Sequence, residues 1–244
     1  MRDWPAGYTR HIYDTVDSTL SEAARMIPTL SGPAWLMAVE QTAARGRRGR
    51  SWATPRGNFA GTLVMPRKEA PGVAALRSFV TSLALYRAFV AVTGQPSAFA
   101  LKWPNDVLLK GGKVAGILLE SRDEYLVIGI GVNLVHAPGP EAVEEGALTP
   151  VSLQGALGIT VAPEDFLDAL AAEYAILEDQ FTTHGFAPIR RAWLDHAARL
   201  GEVITARTMR ETWTGTFEDV DAQGSLILKT SAGRKAIAAA DVYF

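Results

Sequence analysis

The order of apolar and polar positions divides the chain into two unequal parts. In the first part, runs suited to burial alternate with amphipathic stretches. Asp17 or Ser18 can cap a helix through Ser21 to Met26, which Pro28 ends. Residues 35–39 read as a buried strand and residues 59–65 as another. Between them, residues 41–57 keep no hydrophobic period, are rich in Arg and Gly, and form a loop. Val73, Leu76, Val80, Leu83 and Val90 predict a helix over 73–92 with one face in a core. Arg77 and Arg87 interrupt it as a membrane span. Three strand-like runs follow at 107–109, 113–120 and 125–134, the first two joined by a Lys110-Gly-Gly-Lys113 hairpin link. A long helix is predicted over 163–181, with Pro163 in its first turn, and a second over 187–199.

After Gly201 the pattern changes to short strands, at 203–206, 213–220, 226–230 and 235–238. Asp221-Ala-Gln-Gly224 and Ser231-Ala-Gly233 separate them as turns. A β unit of roughly forty residues buries little core alone and must pack on the larger part. The predicted organisation is a domain over 1–199 and a small β domain over 200–244. Its fold class is α/β (α+β), a mixed sheet flanked by helices.

Composition narrows the chemistry. The 244 residues are 48% hydrophobic and 20% charged, ordinary for a soluble globular protein, and the net charge of −2 leaves polyanion binding to a local basic cluster. With no cysteine, disulfides, thiolate catalysis and Cys-based zinc sites are excluded. The first residues lack an apolar signal segment, so the cytoplasm is the expected compartment. His11, His136, His184 and His196 are scattered without metal-ligand spacing, and the sequence assigns no metal ligands.

The basic cluster lies in the loop Gln41-Thr-Ala-Ala-Arg45-Gly46-Arg47-Arg48-Gly49-Arg50-Ser51-Trp52. Guanidinium forks grip phosphate or carboxylate oxygens bidentately, and the intervening glycines let backbone N–H groups approach the same anion. Trp52 offers a face for stacking on a base or fused ring. Such a loop is expected to be mobile without ligand and ordered by one. A solvated basic loop and a nucleic-acid patch fit the same residues.

Lys102-Trp-Pro-Asn105-Asp106 is a strand entering a proline turn, which gathers an ammonium, a carboxamide and a carboxylate. The plain alternative is a structural Asx-type turn. In Lys113-Val-Ala-Gly116, strict alternation puts Lys113 and Gly116 on opposite faces, so they share a site only through a bulge or the Gly116 backbone. An exposed hairpin lysine is the simpler reading. In Ile128-Gly129-Ile-Gly131-Val-Asn133 the glycines and Asn133 share one face and the apolar residues the other. The glycine face clears room for a flat object such as a purine, or for another backbone.

Taken in order, these segments resemble the biotin–protein ligase family. The matching pieces are Asp17-Ser18-Thr19, Gln41 with the arginine loop and Trp52, Lys102-Trp-Pro-Asn-Asp106, Lys113 with Gly116-Ile, and Gly129-Ile-Gly-Val-Asn133. Val151-Ser-Leu-Gln154 with Gly158 matches a weaker pattern, and the resemblance covers nearly the whole chain. It implies a class II synthetase-like catalytic domain with a C-terminal SH3-like β-barrel. It further implies activation of biotin by ATP to biotinyl-5′-AMP, then transfer to a lysine of the biotin carboxyl carrier protein of a carboxylase.

The resemblance also implies roles by position. Ser18, Thr19, Gln41, Arg45, Gly46 and Gly116 would bind biotin. Arg47, Arg48, Trp52, Lys102, Asn105 and Asn133 would bind ATP or the adenylate. Arg47, Lys113 and Asp106 would be catalytic, Lys113 by neutralising charge as the biotin carboxylate attacks the α-phosphate. Mg²⁺ is expected with ATP, and no tightly bound prosthetic group. A homodimer fits the family, and membrane binding is not expected. The Asp17-Ser-Thr segment begins so early that the form without an N-terminal DNA-binding module, hence no DNA partner, is expected.

Two positions depart from the family pattern. Leu20 stands where an asparagine is usual, and Ala44 where a glycine precedes the first loop arginine. A lipoate or octanoate ligase of the same fold is the related alternative. A non-enzymatic nucleic-acid binder using the arginine loop is the other, and would bind with steep salt dependence.

Overall fold

Apolar runs become buried strands, and the amphipathic stretches become helices laid across them. The computed structural model describes residues 3–46, 49–50, 52, 54–139, 148–208 and 210–244. Seven strands form the main sheet: β1 (Thr9–Val16), β2 (Ala34–Gln41), β3 (Phe59–Pro66), β4 (Phe99–Lys102), β5 (Asp106–Leu109), β6 (Gly112–Arg122) and β7 (Tyr125–Val132). Their order is β1-β2-β3-β7-β6-β5-β4, with β1 parallel to β2 and the other pairs antiparallel.

Helices cover the two faces unequally. On one face α3 (Arg77–Thr93) lies beside α5 (Pro163–His184) and α6 (Phe186–Leu194), over a core including Trp35, Leu63, Phe89, Phe166 and Trp193. On the other, among the described residues, α1 (Thr19–Met26) packs on β2, β3 and β7, through Leu20 and Ala23. Strands β2 and β3 are therefore apolar at nearly every position, because both faces are covered. The rest of the second face, over β6 and β7, is left to loops.

Helix ends follow local chemistry. Ser18 Oγ accepts from Ser21 N at 3.0 Å and caps α1, while Asp17 Oδ1 accepts from Ser18 N at 2.7 Å. The predicted 73–92 helix divides at Leu76 into α2 (Pro71–Ala75) and α3. Together they are long and apolar enough to cross a membrane, yet 72% of the apolar window is buried inside the protein. Arg77 sits within this core because Glu178 and Glu69 receive its guanidinium.

Strand β1 and a short helix were not expected, and helix α6 is shorter than expected. Edge strand β1 is largely exposed and carries few apolar residues, so no period marks it. A five-residue helix, α4 (Leu153–Leu157), is capped by Ser152. Helix α6 stops at Leu194, short of the expected residue 199, because the following backbone pairs with β4: Leu101 N donates to His196 O and Ala198 N to Leu101 O, both at 2.8 Å.

The C-terminal unit holds β8 (Val203–Arg207), β9 (Thr212–Val220), β10 (Leu226–Thr230), β11 (Gly233–Ile237) and β12 (Asp241–Tyr243), the last not expected. Its order, β11-β10-β9-β8-β12, is all antiparallel. The expected barrel is an open sheet here, since β11 and β12 are not paired with each other. It docks through its β9–β10 turn, where Gly224 O accepts from Trp103 Nε1 at 3.0 Å. Gly224 is obligatory at this contact: its φ is +81°, and a Cβ would come within 2.9 Å of Leu76 and 3.0 Å of Phe79.

Candidate functional site

The uncovered face of β6 and β7 is the floor of a cleft of about 430 Å³. Residues paired across these strands, Gly116 with Gly131 and Leu118 with Gly129, pave it with little side-chain bulk. Thr19 and Leu20 of α1, the arginine loop, the Trp103–Asp106 turn and β12 form its walls. Its volume and mixed lining suit a small-molecule site.

A bulge brings Lys113 to this floor. Val107 pairs with Ala115, but Leu108 pairs with Lys113, so Val114 is the extra residue on β6. The insertion undoes strict alternation, and Lys113 Nζ lies 3.3 Å from the place a Gly116 Cβ would take. The hairpin between these strands uses positive φ at Lys110 and Gly111, 48° and 84°, as a two-residue turn requires.

Toward one end of the cleft, beside the Arg45–Glu120 pair, the hydrogen-bonding groups are amides and hydroxyls. Gln41 Oε1 accepts from Thr19 N at 2.7 Å and Thr19 Oγ1 at 3.1 Å, and Gln41 Nε2 donates to Thr54 Oγ1 at 3.1 Å. Thr62 Oγ1 donates to Thr19 Oγ1 at 2.8 Å. Ser18 is 2% exposed and serves the helix cap; it does not line the cleft. Leu20 fills the space above Gly129, where a Cβ would come within 2.9 Å of it.

The other end is charged. Lys113 Nζ lies 2.7 Å from Asp106 Oδ1 and 5.6 Å from the Trp52 ring centroid. Lys102 faces the Phe244 ring at 5.5 Å. The Trp103–Pro104 peptide is cis, and Asn105 Nδ2 donates to Ile117 O at 2.6 Å, joining the turn to the floor strand.

The described part of the loop crosses between these ends. Gly46 N donates to Arg50 O at 2.7 Å and Trp52 N to Ala44 O at 3.1 Å, so its two arms close on each other. Arg50 reaches Asp241 of β12 at 3.5 Å, and Arg45 Nη2 lies 3.2 Å from both Glu120 oxygens. The flat group over Gly131 is the Trp52 indole, with Nε1 2.3 Å from where a Cβ would be. Arg47 and Arg48 lie outside the described residues.

Most of the sequence-derived candidates meet here: Thr19, Gln41, Arg45, Gly46, Trp52, Lys102, Asn105, Asp106, Lys113 and Gly116 all line one cleft. Asn133 does not. It is 2% exposed, its Nδ2 donates to Val151 O at 3.2 Å, and its backbone O accepts from Leu153 N at 2.9 Å. Sequence reasoning missed Asp241, Val242 and Tyr243, whose three-residue strand carries no local sign of the cleft it walls. Among the described residues, no three His, Asp or Glu side chains cluster as a metal site.

A glycine-paved cleft on a helix-backed mixed sheet, with Thr19 and Gln41 toward one end and Lys113 and Asp106 toward the other, is a site built for a small molecule. Residues 13–133 match the biotin/lipoate A/B protein ligase family, and residues 200–244 the biotin protein ligase C terminal domain. The chain is 54% identical over 233 residues to the biotin–[acetyl-CoA-carboxylase] ligase of Paracoccus denitrificans, covering 93% of this chain and 97% of that protein. It is 30% identical to the bifunctional ligase/repressor BirA of Bacillus subtilis, covering 95% of this chain and 73% of that protein. Its fold matches the biotin protein ligase from Aquifex aeolicus in complex with biotin and ATP, with a TM-score of 0.85, 25% identity, and coverage of 96% and 97% of the two chains. This chain belongs to the biotin protein ligase family.

Proposed function

We propose that the protein is a biotin–[acetyl-CoA-carboxylase] ligase working in two half-reactions. In the first, an oxygen of the biotin carboxylate attacks the α-phosphorus of ATP, the bond to the β-phosphate oxygen breaks, and biotinyl-5′-AMP and pyrophosphate form. In the second, a lysine amine of the biotin carboxyl carrier protein attacks the acyl carbon, loses a proton, and AMP leaves. The observation that carries this reading is the single floor joining Thr19 and Gln41 to the Lys113–Asp106 pair. A long acid with an uncharged head can lie along it with its carboxylate toward Lys113.

The residue roles follow that orientation. Thr19 and Gln41 are proposed to hydrogen-bond the biotin head, with Arg45, Gly46 and Gly116 along the acid, and Ser18 supporting Thr19 through the cap. Lys113, with Arg47, is proposed to stabilise the charge that develops at the α-phosphate; fixed cations suit a meeting of two anions. Arg48, Lys102, Asn105 and Trp52 are proposed on the nucleotide side, Trp52 covering the adenine. Asn133 is proposed to act there through the β7 end it secures. Asp106 holds Lys113 and stands at the join of the two substrates. Loop closure would keep water from the mixed anhydride.

Magnesium is proposed to arrive as the counterion of ATP. The described residues offer no carboxylate cluster to hold it, and Asp106 is engaged by Lys113, so no protein ligand and no step is assigned to it. The proposal also includes the cytoplasm as compartment, a homodimer, no DNA or membrane partner, and a division between catalytic and C-terminal domains at 199/200.

Pyrophosphate exchange into ATP, compared with no acid, biotin, lipoate and octanoate, tests the reading. Exchange with biotin alone is the expected result. Exchange with lipoate or octanoate in its place would change the substrate, and none with any acid would remove the adenylation step.

A further inference from the structure

The floor strand carries a carboxylate that the scheme above leaves without a task. Glu120 follows Gly116 and Leu118 on one face of β6, since the register with β7 is unbroken from Ala115 to Arg122. Its oxygens receive Arg45 Nη2, while Arg45 Nη1 donates to Ser21 Oγ of α1 at 3.3 Å. Arg122 Nη2 donates to Glu120 Oε2 at 3.0 Å, so this carboxylate accepts from two guanidiniums. Four residues of strand, ~13 Å, separate Glu120 from Gly116, beside which Lys113 lies. The Arg45 guanidinium is thus tied at the outer end of the floor, away from the Lys113–Asp106 pair.

We propose that Glu120 is a positioning residue for adenylation, clasping Arg45 and so holding residues 44–46 at the Thr19 end of the cleft. The clasp joins β6 to α1 over Leu118 and Leu20, which line that end. Its effect reaches the nucleotide end through the loop itself. Ala44, next to Arg45, accepts from Trp52 N, and Gly46 N donates to Arg50 O, so the arm that Glu120 fixes carries Trp52 with it. The Arg45 and Glu120 side chains are 32% and 23% exposed. At that exposure the pair contributes modestly, so its loss loosens the hold on Arg45 severalfold rather than abolishing it.

The inference rests on the reading of the cleft as an acid-activating site, and its test separates the two. Full-length wild type, Glu120→Gln, Glu120→Ala, Arg45→Ala and the double alanine variant are nicked with subtilisin without ligands, cuts between residues 41 and 57 being read by mass spectrometry. Glu120→Gln and Glu120→Ala are expected to be cut about three- to fivefold faster than wild type, in line with a partly exposed pair. Because Glu120 acts through Arg45, the double variant is expected to be cut no faster than Arg45→Ala alone. With biotin, KM should rise by a similar factor in the Glu120 variants while kcat changes less than twofold. Wild-type cutting rates in Glu120→Gln, or additive effects in the double variant, would overturn the clasp. Failure of wild-type exchange with biotin would overturn the substrate reading and leave the proteolysis result standing.

Discussion

The Trp52 indole rests on Gly131: a Cβ there would meet Nε1 at 2.3 Å and Cε2 at 2.4 Å. The contact explains why a core strand dispenses with a side chain at this position. It also couples the loop to the floor, because the indole cannot take this place over any larger residue. Gly131→Ala should therefore displace Trp52 while leaving the sheet intact. Stacking of a base on an aromatic ring contributes about 1–3 kcal/mol. KM for ATP is expected to rise about tenfold or more, with KM for biotin changed much less. An equal rise in both would remove Trp52 from the adenine side.

Lys113 reaches the cleft through the Val114 bulge and pairs with Asp106. Removing one fixed donor to transition-state charge costs about 10²–10³ in kcat. Lys113→Ala is expected to lose that much pyrophosphate exchange and keep its biotin affinity by calorimetry, with Lys113→Arg recovering part of the rate. Adenylate formation at the wild-type rate by Lys113→Ala would exclude the role proposed for it.

Arg77 tests the scaffold. Its side chain and that of Glu178 are 6% and 9% exposed, and Tyr174 OH also donates to Glu178, at 3.2 Å. Burial pushes the Tyr174 hydroxyl well above its ordinary range, with the Glu178 charge adding to it, so Glu178 keeps a neutral donor beside it. Arg77→Ala leaves a buried carboxylate without its cation, a loss of about 3–5 kcal/mol. Chemical denaturation should show it; a change below about 1 kcal/mol would mean that solvent reaches Glu178.

His196 should make stability depend on pH. Its ring stacks on Tyr86, with centroids 3.9 Å apart, and burial holds its pKa below the ordinary 6.5, against the opposing pull of Asp195. Below 6.5 the unfolded chain takes up this proton more readily than the folded one. This contribution is therefore present above that pH and lost as pH falls through it. His196→Phe keeps an aromatic ring that cannot be protonated. Its melting temperature should fall less than that of the wild type between pH ~7 and ~5.5, spanning the histidine range. Equal slopes would locate the dependence elsewhere.

Ser18 caps the start of α1 as residue type predicts, and the apolar runs at 35–39 and 59–65 are buried because no other place suits them. Those are local consequences of side-chain chemistry, and one sequence determines them. The resemblance likewise depended on residue types in order, so it needed no coordinates. Strand β1 was invisible because an exposed edge strand needs no apolar period; only pairing with β2 makes it a strand. Asp241–Tyr243 became a cleft wall through docking of a unit that begins some forty residues earlier, an outcome of long-range packing with no local trace.

By itself, then, the sequence determined which chemistry the chain carries: arginines and glycines in one loop, Lys113 and Asp106 about a hairpin, glycines on one strand face. Tertiary structure alone decided which of these groups meet. A single-residue bulge reversed the face on which Lys113 stands, and Asn133 was drawn to the backbone of a neighbouring segment. Arg45 was turned toward Glu120, 75 positions away in sequence. Register, bulges and docking are set by cooperative packing over the whole molecule, whereas side-chain chemistry is fixed residue by residue.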